Sequence, residues 1–173
     1  MDNLSPLRVY ITGVPATGKT TVAKNLSEVL LLQYLEINEV VLDKGLYFGY
    51  DINRDSVILD DELLTQELNV MITKEDRLCL VGPMIPLKNV FDFIIVLHCG
   101  ITTLRQRFLA RDYSNNKIEE NIEAEIMNII YYDSIEFYNE EKVFEVHNDE
   151  RTIEDTCNEI ILIISQHHPS ILK

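Results

Sequence analysis

Positive charge is in short supply: 15 Lys and Arg stand against 29 Asp and Glu, a formal net charge of −14 at pH 7. A chain with that deficit is poorly suited to wrapping nucleic acid by phosphate neutralisation, and it accommodates a basic protein partner more readily than an RNA backbone. Cysteine is scarce too. Cys79, Cys99 and Cys157 are odd in number and fall at no metal-ligand spacing, which predicts buried, reduced thiols of an intracellular protein. His98, His147, His167 and His168 show no ligand spacing either, and the last two read as a frayed tail. No apolar run nears the roughly 20 residues that a bilayer span requires. Met1-Asp2-Asn3-Leu4-Ser5-Pro6 has neither the basic region nor the apolar core of a secretion signal. The expectation is a soluble intracellular protein with no membrane partner.

What is present suffices for one domain. At 173 residues, with 46% hydrophobic and 25% charged side chains, the chain can bury a full core but is too short for two ordinary domains. Its organising stretch is Gly13-Val14-Pro15-Ala16-Thr17-Gly18-Lys19-Thr20-Thr21, which fits Gly, four residues, Gly-Lys-Thr, a loop built to hold phosphate. Gly13 and Gly18 permit backbone angles closed to other residues and let the main chain approach a ligand. The amides then form an anion nest, and the following helix adds its positive end. Lys19 is expected to reach the outer phosphates of ATP, and the Thr20 hydroxyl to be a ligand of Mg²⁺.

The surroundings suit such a loop. Leu7 to Thr12 reads as a buried strand and Thr21 to Leu32 as a helix. Tyr34 to Asn38 reads as a second strand, Leu78 to Val81 as a third, Phe93 to Leu97 as a fourth and Val143 to Val146 as a fifth. Residues 39–59 show little periodicity and read as a mobile segment over a site rather than as core. A helix starts at Asp60 or Asp61, either of which could cap it, with Leu63, Leu64, Leu68, Met71 and Ile72 near one face. Another starts at Thr102 or Thr103, with Leu104, Phe108 and Leu109 as its stripe. A long one spans about Ile118 to Glu141, with Ile122, Ile126, Ile129, Ile130 and Phe137 at helical spacing and the isoleucines read as core. Thr152-Ile153-Glu154-Asp155 resembles a capping box that opens a last helix ending before Pro169. Strands alternating with helices predict an α/β fold, a doubly wound, five-stranded parallel sheet of the P-loop NTPase type, with its site outside the carboxyl ends of the strands.

Further motifs make the chain resemble the adenylate kinase isoenzyme 6 family over nearly its whole length. The carriers are Leu46-Tyr47-Phe48-Gly49-Tyr50-Asp51, Ile58-Leu59-Asp60-Asp61, Arg111-Asp112-Tyr113-Ser114-Asn115, Asn121-Ile122, Glu125-Ile126 and Tyr131-Tyr132. The resemblance implies a nucleoside monophosphate kinase fold with a monophosphate-binding segment at about 39–60 and a lid at about 111–121. It implies adenylate kinase activity (ATP and AMP to two ADP) and ATPase activity, with a part in small ribosomal subunit maturation, in nucleus and cytoplasm. Carried over residue by residue, Gly13, Ala16, Gly18, Lys19, Thr20 and Thr21 hold the triphosphate and Arg111 meets the nucleotide at the lid. Lys19 and Arg111 are the catalytic candidates, with Arg105 and Arg107 as further sources of charge or, alternatively, a solvated helix face.

Two departures are plain. The resemblance implies an Asp, one residue, His pair at the end of the third strand, whereas Cys79-Leu80-Val81-Gly82 stands there and the nearest carboxylate, Asp76, precedes the strand. It also implies an arginine for the monophosphate where Leu42 stands, with Lys44 and Arg54 nearby. The sequence therefore supports a second reading beside the kinase, a nucleotide-binding assembly factor with weakened catalysis that clamps a basic ribosomal protein.

Overall fold

The computed structural model describes residues 4–52, 54 and 56–169, so Met1–Asn3 of the N-terminal stretch, and Asn53 and Asp55 of the segment at 39–60, lie outside the described residues. Strand β1 (Leu7–Thr12) leads through the phosphate loop into helix α1 (Lys19–Leu30). Then come β2 (Gln33–Glu36), α2 (Ile37–Lys44), β3 (Tyr47–Asp51), β4 (Ser56–Leu59) and α3 (Asp61–Ile72). The chain continues through β5 (Arg77–Val81), β6 (Phe93–His98), α4 (Ile101–Leu109), α5 (Asn115–Ile126) and α6 (Ile129–Phe137). A 3-10 turn (Glu140–Lys142), β7 (Val143–His147) and α7 (Ile153–His167) close it.

The main sheet is five-stranded in the order β2-β5-β1-β6-β7, parallel throughout. Alternate residues of its near-continuous apolar strands serve two cores, as expected of strands covered on both faces. Val9, Ile11, Cys79, Val81, Ile95 and Leu97 pack with Val22, Ala23 and Leu26 of α1 and with Cys157, Ile160 and Ile164 of α7. Tyr10, Leu78, Leu80, Ile94 and Val96 pack on the other face with Val40 and Val41 of α2 and with Leu64, Leu68 and Ile72 of α3. Each fully buried aliphatic side chain contributes about 1.5–3 kcal/mol. A third cluster, Val14, Ala16, Cys99, Leu104, Phe108, Ile118 and Ile122, ties the phosphate loop to α4 and α5.

Asp60 caps α3 by accepting from Leu63 N at 3.1 Å. Thr152 and Asp155 form the expected box at the start of α7. All three thiols are free and buried, and burial pushes that of Cys79 up to about 12.

Several boundaries differ from expectation. β2 stops at Glu36, because Ile37 already opens α2. The stretch expected to be irregular holds that helix and an antiparallel hairpin, β3 with β4, and Val40, Val41 and Leu46 belong to the core. The long helix expected over 118–141 is two helices, parted at Asn128, which takes a left-handed conformation (φ 51°). Ile126 and Ile129, on either side of the break, are 63% and 39% exposed, so these two isoleucines are not core, and Phe137 is exposed as well. Leu63 and Leu109 are also exposed. His167 is not frayed; it lies in α7 with its ring 4.7 Å from that of Phe144. Among the described residues, no helix is long and apolar enough to cross a membrane.

Candidate functional site

The loop between β1 and α1 is held open by its underside. Gly13 has φ 139°, and a Cβ there would lie 2.4 Å from the Leu97 carbonyl oxygen of β6. Gly18 is the N-cap of α1 with φ 100°, and a Cβ there would come within 2.4 Å of Asn148 Nδ2. Both glycines are thus demanded by protein packed beneath the loop as well as by backbone angle. Ala16, between them, also has positive φ (64°). Its carbonyl accepts from Arg107 Nη1 at 2.9 Å. Asn148, just past β7 and 3% exposed, donates from Nδ2 to the Thr17 carbonyl at 2.8 Å and accepts from Thr156 Oγ1 of α7 at 2.8 Å.

Above these braces α1 begins with no side-chain cap and no acidic residue in its first turn. Its first amides and positive dipole end are available to an anion. Lys19, at the first helical position, turns its ammonium into the loop and donates to the Val14 carbonyl at 2.7 Å. Burial, and then the charge of Arg111, lower the pKa of Lys19 to about 8, against the opposing pull of Glu125 and Glu36. Thr20 Oγ1 donates to Glu36 Oε1 at 3.1 Å, and the other oxygen of Glu36 accepts from the Tyr34 hydroxyl.

A cavity of about 580 Å³ opens at this point, lined by Gly13, Ala16, Gly18, Lys19, Thr20 and Thr21 from the loop and by Arg111, Tyr113 and Lys117 from the turn and helix after α4. All seven predicted triphosphate and lid residues therefore meet in one space. The ring of Tyr113 stacks on Phe108 at 5.6 Å, and Lys117 Nζ lies 4.1 Å from its centroid.

The opposite wall comes from Glu36, from α2 and from the hairpin: Asn38, Val41, Leu42, Tyr50, Ser56, Val57 and Leu59. Among the described residues that line it there is no Lys or Arg. Lys44 is spent on Glu67 at 2.7 Å, and Arg54 lies 3.8 Å from Glu120; neither lines the cavity. Arg105 likewise points away, paired with Glu119 at 2.6 Å on the surface. Arg107 is not a solvated face: it braces the loop from below. Asp76 sits at the amino-terminal edge of the sheet, where its carbonyl accepts from Leu7 N.

A second polar cluster lies behind the loop. His98, 4% exposed at the end of β6, sets Nδ1 3.0 Å from Glu125 Oε1 and Nε2 3.3 Å from Glu145 Oε1. Glu125 Oε1 also accepts from Cys99 N at 3.0 Å. Burial disfavours a charged ring, but the two carboxylates outweigh it and raise the pKa of His98.

Sequence reasoning missed Glu36, Asn148, His98 and the bracing role of Arg107. Only Glu36 carried a signal, as an acidic residue at the carboxyl end of a strand, where such sites gather.

The chain has clear relatives. A family profile described as an AAA domain matches residues 9–128. A protein of Methanococcus maripaludis named "Putative adenylate kinase" is 34% identical over 166 residues, covering 93% of this chain and 90% of its own. Proteins of the same name from Methanosarcina barkeri and Methanocaldococcus jannaschii are each 35% identical, across 90% of this chain and 85% and 84% of theirs. Among solved structures, a shikimate kinase from Acinetobacter baumannii in complex with shikimate superposes with a TM-score of 0.63, covering 95% of both chains at 15% identity. A gluconokinase from Sinorhizobium meliloti gives 0.55 at 13% identity, covering 95% of this chain and 94% of its own. At those identities the likeness speaks for the fold, a P-loop kinase fold, and for nothing finer.

Proposed function

The chain belongs to the adenylate kinase-like family of its archaeal relatives, and from that premise we propose that it is a nucleotide kinase using ATP as phosphoryl donor, Mg²⁺ as cofactor and AMP as acceptor. One observation carries the reading: the uncapped start of α1, Lys19 and Arg111 converge on a single cavity. Phosphoryl transfer asks a protein mainly for position and for positive charge around the migrating group. The loop amides and Lys19 hold the outer phosphates in line with the acceptor. Arg111 supplies charge on the lid side as the bond to the leaving oxygen stretches. The Thr20 hydroxyl fits a Mg²⁺ ligand, and the metal, when bound, neutralises charge on the phosphates. The lid at 111–121 and the wall at 39–60 close on the bound nucleotides and exclude water.

The test is steady-state ADP formation with and without AMP, for the wild type and Lys19→Ala. Acceleration by AMP that the variant loses supports the kinase. ATP turnover indifferent to AMP leaves only the ATPase activity. A wild type no faster than the variant, while still binding ATP, refutes both.

A second reading is favoured by the cation-free acceptor wall, with Leu42 exposed where an arginine was expected. In it the protein is a nucleotide-dependent clamp on a basic small-subunit ribosomal protein in nucleus and cytoplasm, with little turnover, its net charge of −14 suiting that partner. Pull-down of basic ribosomal proteins with and without ATP tests it, and no retained protein in either state counts against it.

A further inference from the structure

The proposed site poses a problem of charge. P-loop proteins hold Mg²⁺ through the loop Ser or Thr together with a carboxylate at the end of a neighbouring strand. Here β5, which lies beside β1, ends in Leu80-Val81 and runs into Gly82-Pro83, so it offers no acid. Among the described residues, no group of three or more His, Cys, Asp or Glu side chains forms a cation site of its own. Any metal must therefore be shared between phosphate oxygens and very few protein atoms, the usual habit of Mg²⁺ at nucleotide sites.

We propose that Glu36 is that missing carboxylate, supplied from β2, one strand farther out, and that with Thr20 it anchors the Mg²⁺ of the bound nucleotide. This deepens the nucleotide-binding reading above and rests on it. The ladder register supports the transfer. Glu36 is paired with Val81, the last residue of β5, across parallel strands, and register partners in such strands project from the same face. Val81 belongs to the core on the face that also holds Val22 and Ala23 of α1. Glu36, on that same face, reaches Thr20 of the same helix. A carboxylate at the end of either strand is thus delivered to the start of α1.

The hydrogen bonding fits as well. Thr20 gives its only proton to Glu36 Oε1 at 3.1 Å, which leaves its lone pairs for a cation. The Tyr34 hydroxyl holds the other carboxylate oxygen and so fixes the orientation of the group. Both named donors are neutral hydroxyls rather than cations. A carboxylate so held, lining a cavity built for a polyphosphate, repels that ligand unless a cation stands between them. The nearby cation, Lys19, feels the Glu36 charge but turns its ammonium onto the Val14 carbonyl, and among the described residues of this wall there is no Lys or Arg.

The experiment measures ATP affinity by titration calorimetry, in EDTA and in excess Mg²⁺, for the wild type and Glu36→Gln. For the wild type, Mg²⁺ tightens binding. For Glu36→Gln, metal-free affinity is unchanged or improved, while the gain from Mg²⁺ falls by about 10-fold or more, the scale on which loss of a metal-site partner acts. An undiminished Mg²⁺ gain in the variant overturns the assignment of Glu36 and leaves the nucleotide site standing. A wild type that binds no ATP under either condition overturns the nucleotide site itself. Should Glu36→Gln not fold, the wild type alone decides: with ¹³C-carboxyl glutamate labelling, Mn²⁺ and a non-hydrolysable ATP analogue should broaden away one glutamate signal first, and retention of them all refutes the proposal.

Discussion

Asn148 offers the most demanding test of how the phosphate loop is held. In Asn148→Ala the Thr17 carbonyl loses a 2.8 Å hydrogen bond inside a fully buried residue. Thr156 Oγ1 loses its 2.8 Å partner but keeps a 3.2 Å contact with the Thr152 carbonyl. An orphaned buried acceptor costs about 1–3 kcal/mol, and a partly compensated hydroxyl about 1 kcal/mol. The expected loss of stability is therefore about 2–4 kcal/mol, or roughly 6–12 °C in melting temperature for a chain of this size. The contact with Gly18 makes the argument sharper. Gly18→Ala places a methyl group 2.4 Å from Asn148 Nδ2 and also strains a backbone at φ 100°. In the Asn148→Ala background the collision vanishes and only the strain, about 1–3 kcal/mol, remains. A double-mutant cycle by urea unfolding should thus show the two changes to be less than additive, by 1 kcal/mol or more. Additive costs, or an Asn148→Ala shift under about 2 °C, would refute the bracing role.

Three further outcomes follow from the same geometry. Burial and Arg111 hold Lys19 near pH 8, so in EDTA the affinity for ATP should fall about tenfold between pH 7 and pH 9 as the ammonium is lost; calorimetry in which Lys19→Met shows the same slope would contradict this. His98, its pKa raised by Glu125 and Glu145, contributes stability that is fully present below the unfolded value of about 6.5 and is lost as pH rises through the folded value. Urea melts of His98→Gln should therefore show a larger deficit at pH 6 than at pH 9, and equal deficits would be evidence against the charged pair. Arg107→Ala removes the donor to the Ala16 carbonyl and should weaken ATP binding severalfold, while Arg105→Ala, which breaks only a surface pair with Glu119, should change it by less than about twofold.

The parallel sheet was readable because its strands are buried on both faces. Runs such as Phe93-Ile94-Ile95-Val96-Leu97 have no other stable place in a domain of this size. The hairpin was unreadable for the opposite reason. None of the residues of β3 and β4 is fully buried, so no alternation of apolar and polar residues was imposed on them, and their pairing rests on backbone hydrogen bonds that leave no trace in composition. Helix α2 was lost in the same stretch, being only 8 residues long, too short for a periodic signal. The break between α5 and α6 had a cue, since Asn is among the few residues that accept a left-handed conformation. The isoleucines on either side of Asn128 masked it, because apolar residues at helical spacing look like core whether or not they face it.

The site divides along the same physical line. Gly13, Ala16, Gly18, Lys19, Thr20 and Thr21 all fall within nine consecutive residues, and the proposed phosphate cradle, made of one turn and one helix start, is local in sequence and therefore displayed whole. The groups that restrain this cradle come from Glu36, Arg107 and Asn148, which are 16, 91 and 131 residues from the loop atoms they touch. Which side chains meet there is decided by strand order. Placing β5 between β1 and β2 brings the end of β2 to Thr20, and placing β7 beside β6 brings Asn148 under Thr17. A carboxylate that moves from one strand end to its register neighbour changes two letters far apart in the sequence, yet in space it stays on the same face at the same end of the sheet. For that reason the absence of an acid at the end of β5 is weak evidence for lost catalysis, and the response of ATP binding to Mg²⁺ in Glu36→Gln bears on catalytic competence more directly than the missing motif does.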